Sequence, residues 1–274
     1  MKSQINKPLL IDDKGVIKEE VNLQYHWYLF LFFIVYLTSF LLPGIIFMFY
    51  IWYAFLPNFL EVSNIISVFT NWNSLLSLLF MPGIVLACYI VHLFFIALTI
   101  RWMWAITERK SPSKDGIIPR NIPSKTLNYY HIRSFMIKYP KYVFSKGLFP
   151  WLLKWLYNFV GTNKIGKGTT LEEEVGADKF VEIGDNSYIG VNTIITSHVV
   201  EGIFGNISYF KVKLGNNVTC GAMNGFGPGS ISKDNAYLLP FATAGKYHQL
   251  KGDNYYLNLE RRGEVTKLSF RMSW

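Results

Sequence analysis

Charged residues are scarce in this chain, and their absence is concentrated towards the N-terminal end. Asp, Glu, Lys and Arg make up 16% of the 274 residues, whereas soluble globular proteins carry about 25%. Residues 21–60 contain none of the four, and neither do residues 62–100. Each stretch exceeds the roughly 20 helical residues that cross a hydrocarbon core, and neither comfortably fits two spans. We expect two transmembrane helices, because a pair of buried core helices, the alternative, should show polar faces.

The first twenty residues lack the character of a secretory signal peptide. They mix basic with acidic residues and precede an apolar run far longer than the core of a signal peptide. Basic residues precede the first span and follow the second, whereas the connector 57–73 has neither Lys nor Arg. Because basic residues favour the cytoplasmic side, we expect a cell-membrane protein with two spans and both termini in the cytoplasm.

Cysteine is also scarce. Cys88 and Cys220 are the two thiols of the chain, and they offer neither a disulfide framework nor metal-ligand spacing. The net charge of +9 raises the question of nucleic acid. Much of the positive charge, however, follows the second span and alternates with aromatic residues, so attraction to anionic lipid head groups is the simpler interpretation. We therefore expect the lipid bilayer as a partner, no metal and no nucleic acid.

Residues 107–163 form a linker followed by short helical patterns. Pro119 and Pro123 keep the linker extended. One amphipathic pattern covers 127–138 and should end at Pro140, and a second starts at Pro150 and ends before Gly161. Both are aromatic, basic and too short to span a membrane. We expect them to lie in the membrane interface, a position that is compatible with packing against the next domain.

Apolar residues recur every six positions after Gly161. Gly follows many of them, and the two series are Ile165, Leu171, Ala177, Ile183, Ile189, Ile195 and Leu214, Cys220, Phe226, Ser232, Leu238. A period of six fits neither an α-helix nor an ordinary strand, and it is typical of a parallel β-helix. The register breaks between the series, which predicts that residues 196–208 form a loop ejected from the coil. Residues 246–274 are expected to form a terminal hairpin or cap.

The hexad pattern resembles that of the hexapeptide-repeat acyltransferases. The resemblance implies a left-handed parallel β-helix, a homotrimer, and a coenzyme A or carrier-protein phosphopantetheine thioester as acyl donor in a groove between coils. It also implies a general-base histidine near a protruding loop. No tightly bound cofactor is expected.

The order of spans, linker, aromatic helices and hexads also resembles one repeat unit of the C-terminal region of poly-lysine synthetase type non-ribosomal peptide synthetases. The similarity covers roughly residues 20–245, and its most specific parts are Val181 to Asp185, Thr196 to His198, and Glu201. Such units join amino acids by amide bonds. The 274 residues match one such unit and no adenylation or carrier domain, so we expect a carrier protein or an adenylating enzyme as a possible partner.

Residues 164–245 contain a single histidine, His198. A neutral imidazole with an ordinary pKa of about 6.5 can take the proton from an attacking amine or hydroxyl, although a loop histidine can also merely pack. Glu201 could orient that imidazole or bind the acceptor amine, or it could be a solvated carboxylate. Asn192 could reach the same groove or be a plain turn residue. Four further residues are small enough to admit a pantetheine arm, but they equally suit tight turns: Gly221, Ala222, Asn224 and Gly225.

These expectations divide the chain into a cytoplasmic segment, a two-helix membrane region, a linker with interfacial helices, a left-handed β-helix and a hairpin or cap, at 1–22, 23–106, 107–163, 164–245 and 246–274. The predicted function is membrane-anchored acyl or aminoacyl transfer, with catalytic His198 and Glu201. The alternative is a non-enzymatic trimeric scaffold on a degenerate β-helix. A lipid-facing transport component would need polar residues within the spans, where they are scarce.

Overall fold

The computed structural model describes residues 25–59, 62, 64–120, 122–172, 176–177, 179–201 and 206–256. Its N-terminal part is helical, and its C-terminal part is built from short parallel strands. The helices are α1 (Tyr25–Tyr50), α2 (Leu56–Phe59), α3 (Ile65–Thr70), α4 (Trp72–Lys110), α5 (Lys125–Met136), α6 (Lys138–Lys146) and α7 (Leu152–Val160), and a π-helical turn, Ile51–Phe55, joins α1 to α2.

The two long helical segments, Tyr25–Phe59 and Trp72–Lys110, are long and apolar enough to cross a membrane, with a mean hydropathy of 2.4 in each. This confirms the prediction of two long apolar helices. Hydroxyl and amide groups lie between them: the Ser74 hydroxyl donates to the Asn58 carbonyl at 2.6 Å, and the Asn58 amide donates to the Ser77 hydroxyl at 3.0 Å. Small polar residues of this kind let apolar helices approach and bond.

Three helices follow the linker, where the sequence predicted two. Pro140 does not end the first pattern, because it lies in the first turn of α6, where a missing N–H breaks no helical hydrogen bond. Helix α7 ends as predicted, with Gly161 in the left-handed conformation at a φ of 83°. This helix packs on the strands that follow: Lys154 donates from Nζ to the Thr169 carbonyl at 3.0 Å, and Asn158 bonds both backbone groups of Ile165 at 2.8 Å.

The strands after α7 form a parallel β-helix. Within the described residues they lie in three parallel sheets, one for each face of the coil. Paired residues are 18 positions apart, as in Ile165 with Ile183 and Leu171 with Ile189, so three hexads complete one coil. Hexad residues form the interior of the coil, where Ile189, Ile195, Cys220 and Leu238 are fully buried. The predicted parallel β-helix is confirmed, and its handedness stays a prediction.

The strands are named in chain order. They are β1 (Gly116–Pro119), β2 (Lys164–Ile165), β3 (Thr170–Leu171), β4 (Gly176–Ala177), β5 (Val181–Ile183), β6 (Tyr188–Ile189), β7 (Ile194–Ile195), β8 (His198–Glu201), β9 (Asn206–Tyr209), β10 (Val212–Leu214), β11 (Thr219–Cys220), β12 (Gly225–Phe226), β13 (Ile231–Ser232), β14 (Tyr237–Leu238), β15 (Thr243–Ala244), β16 (Gln249–Leu250) and β17 (Tyr255–Tyr256).

Stacked turns at one corner of the coil explain part of the sequence pattern. Asn217, Asn235 and Asp253 occupy equivalent turn positions with φ of 56°, 59° and 56°. Asn and Asp tolerate this left-handed conformation better than other residues with a side chain. Their side chains also bond from coil to coil, Asn217 to Asn235 at 3.0 Å and Asn235 to Asp253 at 2.8 Å.

The coil extends beyond residue 245, the predicted end of the β-helix. Strands β16 and β17 pair in parallel with β13 and β14, so residues 246–256 belong to the β-helix and not to a hairpin or cap. The cause is simple: Ala244, Leu250 and Tyr256 continue the interval of six, and Ala244 and Leu250 are buried. The remainder of that predicted element, residues 257–274, lies outside the described residues, as does the predicted segment 1–22.

The predicted ejected loop is a β-hairpin. Val212 pairs with Val181, 31 residues earlier instead of 18, which leaves an insertion of 13 residues. Strands β8 and β9 pair antiparallel within it, and β1 from the linker adds to β9 as a third strand. We call this three-stranded unit, β1, β8 and β9, the arm. Its pairing ties the linker after α4 to the coil.

Candidate functional site

His198 lies at the base of the arm, as the first residue of β8. It is directly opposite Tyr209 of β9 in the antiparallel pairing. Thr196 fixes the local backbone, because its hydroxyl donates to the His198 carbonyl at 2.7 Å and accepts from the His198 N–H at 3.3 Å. The imidazole is half-buried, and its Nδ1 atom is on the protein side, away from solvent.

Aromatic rings surround this histidine. Tyr130 of α5 contacts His198 edge to face, with ring centroids 5.5 Å apart and planes at 72°. The same ring contacts Tyr209 at 5.6 Å and His131 at 5.5 Å. Tyr130 and Tyr209 are themselves buried. The arrangement is edge to face, the geometry that aromatic pairs prefer, and it holds His198 against helix α5.

A buried lysine completes the group. Lys179 is 1% exposed, and its Nζ lies 4.5 Å from the Tyr130 ring centre and 5.6 Å from that of Tyr209. It also donates to the Ser134 hydroxyl at 2.6 Å. The negative faces of the two rings and this hydroxyl offset the cost of placing an ammonium group in the interior. We call His131, His198, Tyr130, Tyr209 and Lys179 the histidine–lysine cluster.

His131 is held neutral within this cluster. Burial lowers its pKa, and the positive charges of Arg120 and Lys179 lower it further. Its imidazole is therefore a hydrogen-bond acceptor as well as a donor near pH 7. None of His131, Lys179, Tyr130 and Tyr209 is among the site residues predicted from the sequence. No repeat signal marks these residues, because α5 and the arm come together through tertiary contacts.

An ion-paired arginine holds α5 beside the end of α4. The Arg133 guanidinium is buried and contacts Glu108 at 3.0 Å from its Nε. It also donates to the Thr107 carbonyl at 3.0 Å, to the Ser113 hydroxyl at 3.0 Å, and to the Ser111 carbonyl. These acceptors belong to the last turn of α4 and the residues just after it. Arg133 therefore fixes the direction in which the linker leaves the long helix.

The five predicted substrate-binding residues lie elsewhere on the coil. Asn192, Gly221, Ala222 and Asn224 are in the turns between the second and third faces, and Gly225 begins β12 directly after them. We call the turns 190–193, 221–224 and 239–242 the 190–193 corner. The arm with His198 emerges from the next corner, between the third face and the first. Within one chain, the predicted donor-binding residues and the predicted base thus lie on different corners.

The coil itself explains several of these residues. The Asn224 amide is buried and donates to the carbonyls of Leu239 at 2.8 Å and Ala242 at 3.1 Å. A Cβ on Gly221 would come within 2.8 Å of the Pro240 nitrogen, so glycine is needed because the next coil approaches. Asn192 has a left-handed φ of 56°, as a turn residue should. The Glu201 side chain lies outside the described part of the structure.

Cys220 has no catalytic environment. Its side chain is fully buried in the apolar column of the coil, and burial raises the pKa of its thiol. A thiol of this kind is unreactive, since the nucleophile is the thiolate. Cys220 is therefore an apolar filler of the coil.

No protein-family model matches the chain, and no curated protein sequence matches it either. Among solved structures, the chain is similar to perosamine N-acetyltransferase from Caulobacter crescentus in complex with CoA and GDP-perosamine, with 18% identity over 35% of this chain and 46% of that one and a TM-score of 0.21. Serine acetyltransferase isoform 3 from Entamoeba histolytica, in complex with cysteine, has 14% identity over 73% and 70% and a TM-score of 0.20. A hexapeptide transferase family protein from Anaplasma phagocytophilum has 15% identity over 38% and 66% and a TM-score of 0.16.

The match to the Caulobacter structure spans about half of that protein's length. Similarities at these TM-scores do not support a conclusion about function. The proposed function therefore rests on the geometry of the site.

Proposed function

We propose that this chain is a membrane-anchored acyl- or aminoacyltransferase in which His198 is the general base. The observation that carries the proposal is the position of His198. It is half-buried at the base of an arm ejected from a hexad coil and lies against the Tyr130 ring, which also contacts the buried Lys179 ammonium group. The donor is a thioester of coenzyme A or of a carrier-protein phosphopantetheine, and the acceptor is an amine or a hydroxyl.

The reaction needs one proton acceptor. As the acceptor nitrogen or oxygen attacks the thioester carbonyl, His198 takes its proton, and the tetrahedral intermediate then expels the thiolate. His198 returns the proton to that thiolate, so the products are an amide or ester and a free thiol. One imidazole therefore acts first as general base and then as general acid. Tyr130 and the Thr196 hydroxyl hold the imidazole and its backbone in place while the proton moves.

Membrane anchoring rests on the exposure of the two long helices. Their most apolar windows are 22% and 28% buried, and large apolar side chains such as Leu41, Leu79 and Phe80 are more than 60% exposed. A water-soluble protein rarely exposes a continuous apolar surface of this size. Lipid is the environment that suits it, and both termini lie in the cytoplasm in this proposal.

The experiment uses the full chain in lipid nanodiscs. Candidate acyl- and aminoacyl-thioesters are incubated with amines and alcohols, and products are identified by mass spectrometry. We expect His198→Ala to reduce transfer at least about 100-fold, in line with general-base catalysis, while the circular dichroism spectrum is retained. His248→Ala, at a half-buried coil position, is the matched control and should transfer normally. Undiminished transfer by His198→Ala would overturn the assignment.

A second candidate, the trimeric membrane scaffold, is favoured by a different surface. The 190–193 corner exposes Val191, Met223 and Phe241, and Ile194 is 59% exposed beside them. The Asn224 amide in the same corner is already used by the coil. In this proposal the corner joins three copies and no chemistry occurs. Phe241→Asp should then convert a trimer to monomers in light scattering, and a panel of thioesters should give no product with the wild-type chain.

A further inference from the structure

A cavity of about 220 Å³ lies between the C-terminal end of α4 and the first coils of the β-helix. Helix α4 supplies Trp104 and Glu108, the turn after α7 supplies Thr162 and Asn163, and the coil and arm supply Glu182 and Lys211, among others. The cavity does not include His198. A water molecule occupies about 30 Å³ in the liquid, so the space suits a molecule of a few heavy atoms.

Two buried polar groups line this cavity with unused bonding capacity. Asn163 is 3% exposed, and its Oδ1 accepts from the Val181 N–H at 2.9 Å. That bond fixes the amide orientation, and the Nδ2 donor then has no partner among the described residues. Thr162 is 4% exposed, and its hydroxyl also has none among them. Buried donors are normally satisfied, so this pair is suited to an anionic oxygen of a ligand.

The charged groups of the lining balance each other. Glu108 and Glu182 oppose Lys164 and Lys211, and the Lys211 Nζ lies 3.1 Å from the Glu182 carboxylate. Burial on its own would raise the pKa of Glu182, but the hydrogen bond from Lys211 and the charges of Lys211, Lys164 and Lys213 together hold it below its usual value. The carboxylate is therefore ionised, and the lining has no net charge. A singly charged ion gains little from such a lining, whereas a ligand that carries both signs can bond to each.

We propose that this cavity binds a small zwitterion, an amino acid by chemical class. Its carboxylate accepts from Asn163 Nδ2, the Thr162 hydroxyl and Lys211, and its ammonium group lies against Glu182. Trp104 and Phe180 form apolar walls that accommodate a short hydrocarbon body. The site goes beyond the proposed acyl transfer, since His198 is not among its lining residues, although Tyr209 borders both.

Calorimetric titration of the full chain in nanodiscs, without any acyl donor, tests the site. The probes are glycine, L-alanine, β-alanine and 4-aminobutyrate, with ethylamine and propionate as singly charged comparisons. We expect at least one zwitterion to bind at least tenfold more tightly than either singly charged probe. The series of increasing separation between ammonium and carboxylate should show one preferred length. Equal binding of singly charged probes, or no binding of any zwitterion, would overturn the proposal.

Two substitutions locate the binding. Asn163→Asp keeps the acceptor for Val181 and replaces the donor with a negative oxygen, and Thr162→Val removes the hydroxyl at nearly constant shape. Each should weaken zwitterion binding at least tenfold, and the Val variant serves if the Asp variant does not fold. Thr243→Val, on the exposed face of β15, is the matched control and should bind like the wild type.

His198→Ala should also bind the zwitterion normally, so that failure of the catalytic proposal is distinguishable from failure of this one. Unchanged binding by Thr162→Val would place the ligand elsewhere and contradict the site.

Discussion

The regular coil and the junction around the arm are stabilised in different ways. In the coil, inward residues pair with their equivalents in the adjacent coils, 18 positions away or, across the arm, 31 positions away, and the turns repeat the same Gly, Asn and Asp positions. In the junction, single charged residues hold together elements that are distant in the chain: Arg133 joins α5 to the end of α4, and Lys179 joins the coil to α5. The coil therefore distributes its stability over many equivalent contacts, whereas the junction depends on a few that have no substitute.

The largest effect is expected for the junction. Arg133→Met removes the ion-pair partner of Glu108 and the donor to the Thr107 carbonyl, which is buried, and to the Ser111 carbonyl, which is partly buried. Each acceptor left without its donor costs about 1–3 kcal/mol, and several are affected together, so we expect a loss of at least about 3 kcal/mol in the free energy of unfolding. Arg109→Met, at an exposed position on the same helix end, should change it by less than about 0.5 kcal/mol. Denaturant titration in detergent micelles measures the free energy of unfolding of both variants. Similar losses would contradict the idea that the junction depends on Arg133.

The stability of the coil should depend on the volume of its buried side chains and not on charge. Ile195 is fully buried and the adjacent Ile194 is 59% exposed, so the two form a matched pair on strand β7. Ile195→Ala should lower the free energy of unfolding by about 2–5 kcal/mol through lost burial and a cavity. Ile194→Ala should change it by less than about 0.5 kcal/mol. An equal loss at both positions would mean that the outer face of β7 is covered in the assembled protein.

Close approach between coils gives a smaller effect. A Cβ on Gly184 would lie 2.5 Å from the Asn216 Oδ1 and the Gly215 backbone, whereas one on Gly245 would meet nothing within 4 Å. Gly184→Ala should therefore cost about 1–3 kcal/mol by forcing the coils apart, and Gly245→Ala should be nearly neutral. The midpoint of thermal unfolding, followed by circular dichroism, distinguishes them. A neutral Gly184→Ala would show that adjacent coils can separate without loss.

The smallest expected effect is a pH dependence within the junction. The pKa of His131 is lowered in the folded state, so the unfolded chain binds a proton more readily. Stability from this group is complete above the unfolded pKa of about 6.5 and is lost as the pH falls below it. His131→Gln should reduce this decline in the free energy of unfolding between pH 7 and 5, as measured by denaturant titration, whereas His248→Gln should not. An unaltered slope in His131→Gln would assign the decline to another group.

The same contrast explains what the sequence could predict. The interval of six made the inward residues, the parallel strands and the 13-residue break visible, because each is a local property repeated many times. Even the missed strands β16 and β17 continued that interval. Lys179 contacts Tyr130 and Ser134, which lie about 45 positions earlier in the chain. These contacts are not part of a sequence repeat, so no sequence pattern predicts them. His198 was identified by its position at the break, whereas the aromatic and cationic groups around it were not.

Helix α4 has a mechanical consequence. Its 39 residues extend about 58 Å at 1.5 Å per residue, nearly twice the thickness of a hydrocarbon core of about 30 Å. Within the membrane proposal, part of this helix therefore projects from the bilayer, and Arg133 holds its C-terminal end against α5. A change in the tilt of this helix would then move the coil relative to the membrane. Bilayer thickness would therefore set the height and angle of the arm above the membrane surface.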